Sequence, residues 1–103
     1  MRKLNLIDSI KNWNRKLRWN RQYKSGKWDY LFEQDEQPRY ARIIELIKQY
    51  SDRPKLLDLG AGEGVLKFKL NEFNIQLDYY CGVDFSEVSI RKAKAFKFEN
   101  TEF

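Results

Sequence analysis

Leu56-Leu57-Asp58-Leu59-Gly60-Ala61-Gly62-Glu63-Gly64 joins an apolar strand, an acid near its end and three alternating glycines. Leu56, Leu57 and Leu59 do not alternate with polar residues, so Lys55 to Leu59 is expected to be a parallel strand covered on both faces. Glycine takes positive φ without penalty and lets a ligand approach with no Cβ in the way. Val65, Leu66, Phe68, Leu70 and Phe73 then predict a helix opening inside the turn. Its free N–H groups and positive end point back at the turn. The pattern is G-x-G-x-G, and Val65 stands where a dinucleotide turn has its third glycine. A pyrophosphate suits such a helix end, but Asp58 and Glu63 would repel it. A ligand carrying an ammonium or sulfonium group fits the two carboxylates better.

A second strand is expected from Asp78 to Val83, with Asp84 following 20 residues after Gly64. A carboxylate at that place can accept both vicinal hydroxyls of a ribose. Ser86 is a good N-cap for the next helix, with Glu87 in its first turn. Ile90, Ala93 and Phe96 are expected to face inward on that helix, and Asn100 to Phe103 to begin a third strand. The order β-α-β-α-(β) from residue 55 predicts an α/β fold with a Rossmann-like parallel sheet of two to three strands, preceded by helices.

Upstream, Leu6, Ile10, Trp13 and Leu17 form one helical stripe, expected to pack on the domain while Arg15, Lys16, Arg18 and Arg21 stay solvated. Lys24-Ser25-Gly26 breaks this helix. Tyr40, Ile43, Ile44, Ile47 and Tyr50 form a second stripe after Pro38, which sits where a helix starts at no cost. Three regions follow: a basic amphipathic arm over 1–27, a lid or linker with its helix over 28–54, and an incomplete Rossmann-like domain over 55–103. Tyr23, Tyr30 and Tyr40 fall in the part expected to form a lid, and each is expected to pack in an apolar cluster.

The net charge of +5 is unevenly spread. Residues 1–27 hold nine Lys/Arg and one acid, and the remainder holds eleven Lys/Arg and fourteen acids. There is no histidine and one cysteine, Cys81, so neither an internal disulfide nor a Cys/His metal set can form. Cys81 is expected as a small buried apolar residue. No run is long and apolar enough to span a membrane, and no signal-peptide core is evident, so the default compartment is cytoplasmic.

At the glycine turn and at Gly82-Val83-Asp84-Phe85-Ser86 the chain resembles the N-terminal half of class I S-adenosylmethionine-dependent methyltransferases. The resemblance implies S-adenosylmethionine as cofactor. Gly60, Ala61 and Gly62 would pack along its methionine part, with Asp58 near the amino group. Asp84 would hold the ribose hydroxyls and Phe85 would lie against the adenine. Trp28-Asp29-Tyr30 and Gln37-Pro38-Arg39-Tyr40 resemble small-molecule methyltransferases, in which an N-terminal helix lies over the cofactor. Arg39, 21 residues before Gly60, is the candidate partner of the cofactor carboxylate. The implied acceptor is a small molecule or sugar, and no residue offers itself as a catalytic base. The family's sheet is larger, so the chain reads as an N-terminal fragment, inactive alone. The first strand is then expected to have one unpaired edge and one incompletely covered apolar face, which need a missing half or another chain to cover them.

Two other classes compete. The arm mixes Trp13, Trp19 and Tyr23 with Arg15, Lys16, Arg18, Arg21 and Lys24, which suits nucleic acid, hence an RNA methyltransferase or a binding module, or else an anionic membrane surface. An NAD-dependent oxidoreductase fragment is the other, disfavoured by Val65 and the added acids.

Overall fold

The computed structural model describes residues 6–33 and 36–103. Residues 1–5 of the basic arm, and 34–35 of the acidic run before Pro38, lie outside the described residues. The order is α1 (Leu6–Lys24), a 3-10 turn (Asp29–Phe32), α2 (Gln37–Tyr50), β1 (Lys55–Leu59), α3 (Val65–Glu72), β2 (Tyr79–Val83), α4 (Glu87–Lys94) and β3 (Thr101–Glu102). The α/β character, the parallel sheet and the preceding helices are as the sequence implied.

The three strands lie in the order β1-β2-β3, all parallel. Leu56 stands opposite Tyr80 and Asp58 opposite Gly82. Leu56 and Tyr80 share a face with period two. That face packs on Ile44 and Ile47 of α2 and on Leu66 and Leu70 of α3, with Phe103 alongside. Gly82 is on the same face, where an added Cβ would come within 2.7 Å of the Phe103 ring and 2.9 Å of the Ala61 Cβ.

The opposite face is bare, as expected for a strand whose leucines suit two covered faces in a chain that brings only part of the family's sheet. Leu57 is 61% and Leu59 75% exposed, with Tyr79 and Val83 beside them in β2. The physical reason is that the packed helices gather on one side, giving two layers. Cys81 lies on the bare side, half-buried where full burial was expected. β1 has one unpaired edge.

Helix ends follow local rules. Gly26 has φ +75° and closes α1, with Lys27 N–H bonded to Gln22 C=O and Gly26 N–H to Tyr23 C=O. This is the paired-bond stop in which a left-handed residue satisfies the last carbonyls. Asn74 ends α3 the same way, through Ile75 N–H to Leu70 C=O. Ser86 caps α4, its hydroxyl accepting from Ser89 N–H at 3.3 Å.

α1 corrects the sequence expectation most. Its apolar stripe, Leu6, Ile10, Trp13 and Leu17, faces solvent, together with Ile7. The face that meets the body is Lys16, Trp19, Asn20 and Tyr23, the i, i+3, i+4, i+7 set a quarter-turn away. The body selects this face because α4 presents polar groups there. Ser86 Oγ donates to Asn20 Oδ1 at 2.6 Å, Lys16 pairs with Glu87, and Lys92 Nζ donates to the Tyr23 carbonyl. The buried Ser86 hydroxyl needs an acceptor, and a leucine could not supply one. Other side chains depart from expectation too. Phe96 and Tyr30 are substantially exposed, and Phe73 caps α3 half-exposed, whereas Tyr23 and Tyr40 are buried as expected.

Candidate active site

The site lies beyond the carboxyl ends of β1 and β2, where open α/β sheets hold their ligands. Gly60, Gly62 and Gly64 all take positive φ, at 75°, 58° and 84°. Their surroundings differ. A Cβ on Gly62 would sit 2.9 Å from the Tyr23 hydroxyl, and one on Gly64 would meet Phe103 and Ala93. A Cβ on Gly60 would meet nothing within 4 Å. Gly60 is therefore the open place in the turn, and the other two glycines accommodate the protein itself.

Four of the turn's amides are committed. Gly60 and Ala61 N–H both donate to the Val83 carbonyl, at 2.8 and 2.9 Å, and Gly64 N–H donates to the Ala61 carbonyl. Gly62 N–H donates to Asp84 Oδ2 at 3.0 Å. Asp84 Oδ1 accepts from Ser86 N–H at 2.9 Å, so this carboxylate braces the glycine turn against the β2–α4 loop. Each of its oxygens keeps acceptor capacity for a further donor.

Two adjoining cavities open on the turn. One, about 320 Å³, is lined by Trp19, Tyr23, Trp28, Leu31, Tyr40, Ile43, Asp58, Gly60, Ala61, Gly62, Glu63, Val65 and Leu66. The other, about 480 Å³, is lined by Trp19, Tyr23, Gly60, Val83, Asp84 and Phe85. Gly60, Trp19 and Tyr23 belong to both, so the fold brings Asp58, Gly60, Ala61, Gly62, Asp84 and Phe85 together around one region. Arg39 is not among them. It lines neither cavity, and its guanidinium pairs with Glu36 at 3.4 Å.

Asp58 accepts the Tyr80 hydroxyl. Burial raises its pKa, the Tyr80 bond lowers it in part, and the Asp84 charge adds to the rise. Glu63 differs from the free acid that the sequence suggested. Its buried carboxylate meets Lys92 Nζ at 3.1 Å. Desolvation raises its pKa while the Lys92 contact opposes the rise. Among the described residues, the turn's carboxylates without a cationic partner are thus Asp58 and Asp84, both half-buried. The Tyr23 hydroxyl is pushed up to about 12 by burial, then by Asp84 and Glu63. It stays protonated at neutral pH.

The sequence pointed to Trp19 only as part of a basic arm and to Tyr23 also as part of a lid, and both roof the site. Trp19 stacks with Trp28 at 5.7 Å and meets Phe85 edge-on at 6.2 Å. Their spacing of four places them on one helical face, but nothing local says that this face is the one that docks. Tyr80, which holds Asp58, and Lys92, which neutralises Glu63, carried no sequence signal because their partners lie 22 and 29 residues away.

A family model described as a methyltransferase domain matches residues 51–103. The chain belongs to the methyltransferase-domain family. Compared with curated proteins and with solved structures, it matches none. The match takes in β1, the glycine turn, β2 and β3 of the methyltransferase domain. The roof of the site, from α1 and α2, precedes the matched stretch.

Proposed function

We infer that this methyltransferase domain binds S-adenosylmethionine across Gly60 and serves methyl transfer to a small-molecule acceptor. The observation that carries the reading is the open Gly60 between two carboxylates, in a turn where the Gly60, Ala61, Gly62 and Gly64 amides are bonded within the protein. A phosphate needs free N–H donors at such a turn. Four of these amides are already bonded, and Asp58 and Asp84 set a negative field. Both features suit a cationic, nucleoside-bearing ligand and disfavour a dinucleotide.

S-adenosylmethionine supplies a methyl group activated on a sulfonium. The chain's own residues would bind and orient. Asp84 retains acceptor capacity for ribose hydroxyls while staying fixed by two backbone N–H groups. Phe85, half-exposed beside it, offers a face for a base. Asp58 faces the first cavity as the partner for an ammonium. Trp19 and Tyr23 keep water from the junction. Trp28, Leu31, Tyr40 and Ile43 make the first cavity's far wall aromatic and aliphatic, which favours a compact acceptor over a polymer. Alignment of donor and acceptor is the main protein contribution to such a displacement.

Calorimetric titration with S-adenosylhomocysteine tests the reading. Asp84→Asn should weaken binding by about 1.5–3 kcal/mol through lost charge-assisted hydrogen bonds. Equal affinity in wild type and variant, or tighter binding of NADH, would reject it.

A further inference from the structure

α1 exposes Leu6, Ile7, Ile10, Trp13 and Leu17 by between 43% and 76%. Between Leu6 and Arg15 every residue except Asp8 is exposed, and the body meets the helix from Lys16 onward. At 100° per residue, Leu6, Ile10, Trp13 and Leu17 fall within an arc of roughly 60°, with Ile7 at its flank. The next arc carries Lys11, Arg15, Arg18 and Arg21. The helix holds six Lys/Arg and one acid, Asp8. The docked face, Lys16, Trp19, Asn20 and Tyr23, is on the other side of the apolar arc.

A continuous apolar stripe in water on a helix that projects from its domain is unfavourable, and a helix of this length is marginal without a packed face. Three occupants could cover it. A second copy would bring a like-charged cationic flank against this one, which repels. Nucleic acid would satisfy the cations but leave four aliphatic side chains in water, with Trp13 alone on the stripe able to stack. An anionic lipid surface accepts both faces at once: the aliphatic arc enters the headgroup boundary and the cations meet lipid phosphates. Tryptophan at mid-stripe suits the same boundary, having an apolar body and a polar N–H.

We propose that α1 is an in-plane anchor that seats this domain on an anionic membrane surface through Leu6, Ile10, Trp13 and Leu17. The docked arc is about a quarter-turn from the apolar arc, so the domain rests beside the bound helix without obstructing it. No helix among the described residues is long and apolar enough to cross a membrane. The attachment is therefore peripheral and electrostatic in part, and it weakens with salt.

The test uses the 103-residue chain and sedimenting vesicles, either pure phosphatidylcholine or containing about 30% phosphatidylglycerol. Binding is expected to the anionic vesicles only, to fall as salt rises, and to blue-shift tryptophan emission. Trp13→Phe should remove that shift, since Trp19 and Trp28 report from the roof. Ile10→Glu with Leu17→Glu should weaken binding by about a hundredfold or more, because both aliphatic burials are lost. Lys11→Gln, Arg15→Gln and Arg18→Gln together should weaken it by about a hundredfold. These side chains face solvent, so an unchanged melting temperature separates lost binding from lost folding. The proposal is overturned by no binding to anionic vesicles or by equal binding to neutral ones. A dimer abolished by Ile10→Glu would also overturn it, as would RNA binding that survives the Ile10/Leu17 change in the absence of vesicle binding.

Discussion

Asp58 carries an opposing pair of influences that make it a sensitive residue. Burial disfavours its charge, and the Tyr80 hydroxyl favours it, with the balance on the side of a raised pKa. An ionised Asp58 therefore costs the empty fold stability. Asp58→Asn keeps an acceptor for Tyr80 and removes the charge, so it should raise the melting temperature at neutral pH while lowering affinity for a cationic ligand. The sign with pH follows from the raised value. The gap between variant and wild type is full above the folded-state pKa, shrinks as pH falls through it, and closes below the ordinary value of 3.8. Melting curves of both proteins across acidic pH check this; a gap that widens on acidification would contradict it. At this scale much of the site was legible. Asp58, Gly60 and Asp84 announce themselves as acids at strand ends and a glycine between them. Glu63 did not, because its neutralising Lys92 comes from a helix 29 residues later and spacing cannot reveal that pairing.

The elements were mostly legible, and their facing was less so. β2 is a run of aromatic and small residues ending at an acid, and Ser86 marks the start of α4, so both boundaries could be read directly. α1 was equally plain as a helix. Periodicity says which of its side chains align, but the arc that docks was chosen by Ser86 and Glu87 through Asn20 and Lys16. Lys69 shows the same effect on α3. It is fully buried, donating to the Phe32 carbonyl at 2.8 Å and the Glu33 carbonyl at 3.4 Å, and pairing with Glu72 at 3.4 Å. Locally, Glu33 N–H bonds the Tyr30 carbonyl and Glu36 N–H the Glu33 carbonyl, and the buried ammonium adds the Phe32 carbonyl and a second bond to that of Glu33. Lys69→Met should destabilise the domain by about 1–3 kcal/mol in urea unfolding, since the charged hydrogen bonds to the Phe32 and Glu33 carbonyls are lost. Limited proteolysis should then cut first near residues 29–33. Uniform resistance in that segment would argue that packing alone holds it.

The whole molecule has two layers, with helices on one face of the sheet and leucines open on the other. Leu57→Lys with Leu59→Lys should change unfolding free energy by no more than about 0.5 kcal/mol per site, as exposed substitutions do. The same change should reduce binding of a hydrophobic dye and any self-association along the β1 edge. A large loss of stability would mean that these leucines are packed in solution. The non-alternating leucines of β1 suit two covered faces, and the reading of the chain as part of a larger sheet already left one of them incompletely covered, because a strand's composition records what it is suited to meet and not what this chain brings to it. Lys92 has a consequence at this scale. One ammonium reaches the last turn of α1 through the Tyr23 carbonyl and the glycine turn through Glu63, while its own backbone belongs to α4. Three segments distant in sequence are thereby tied at a single point. Their amides should exchange with solvent deuterium together, as one cooperative opening unit, so the site's roof and floor loosen in the same event.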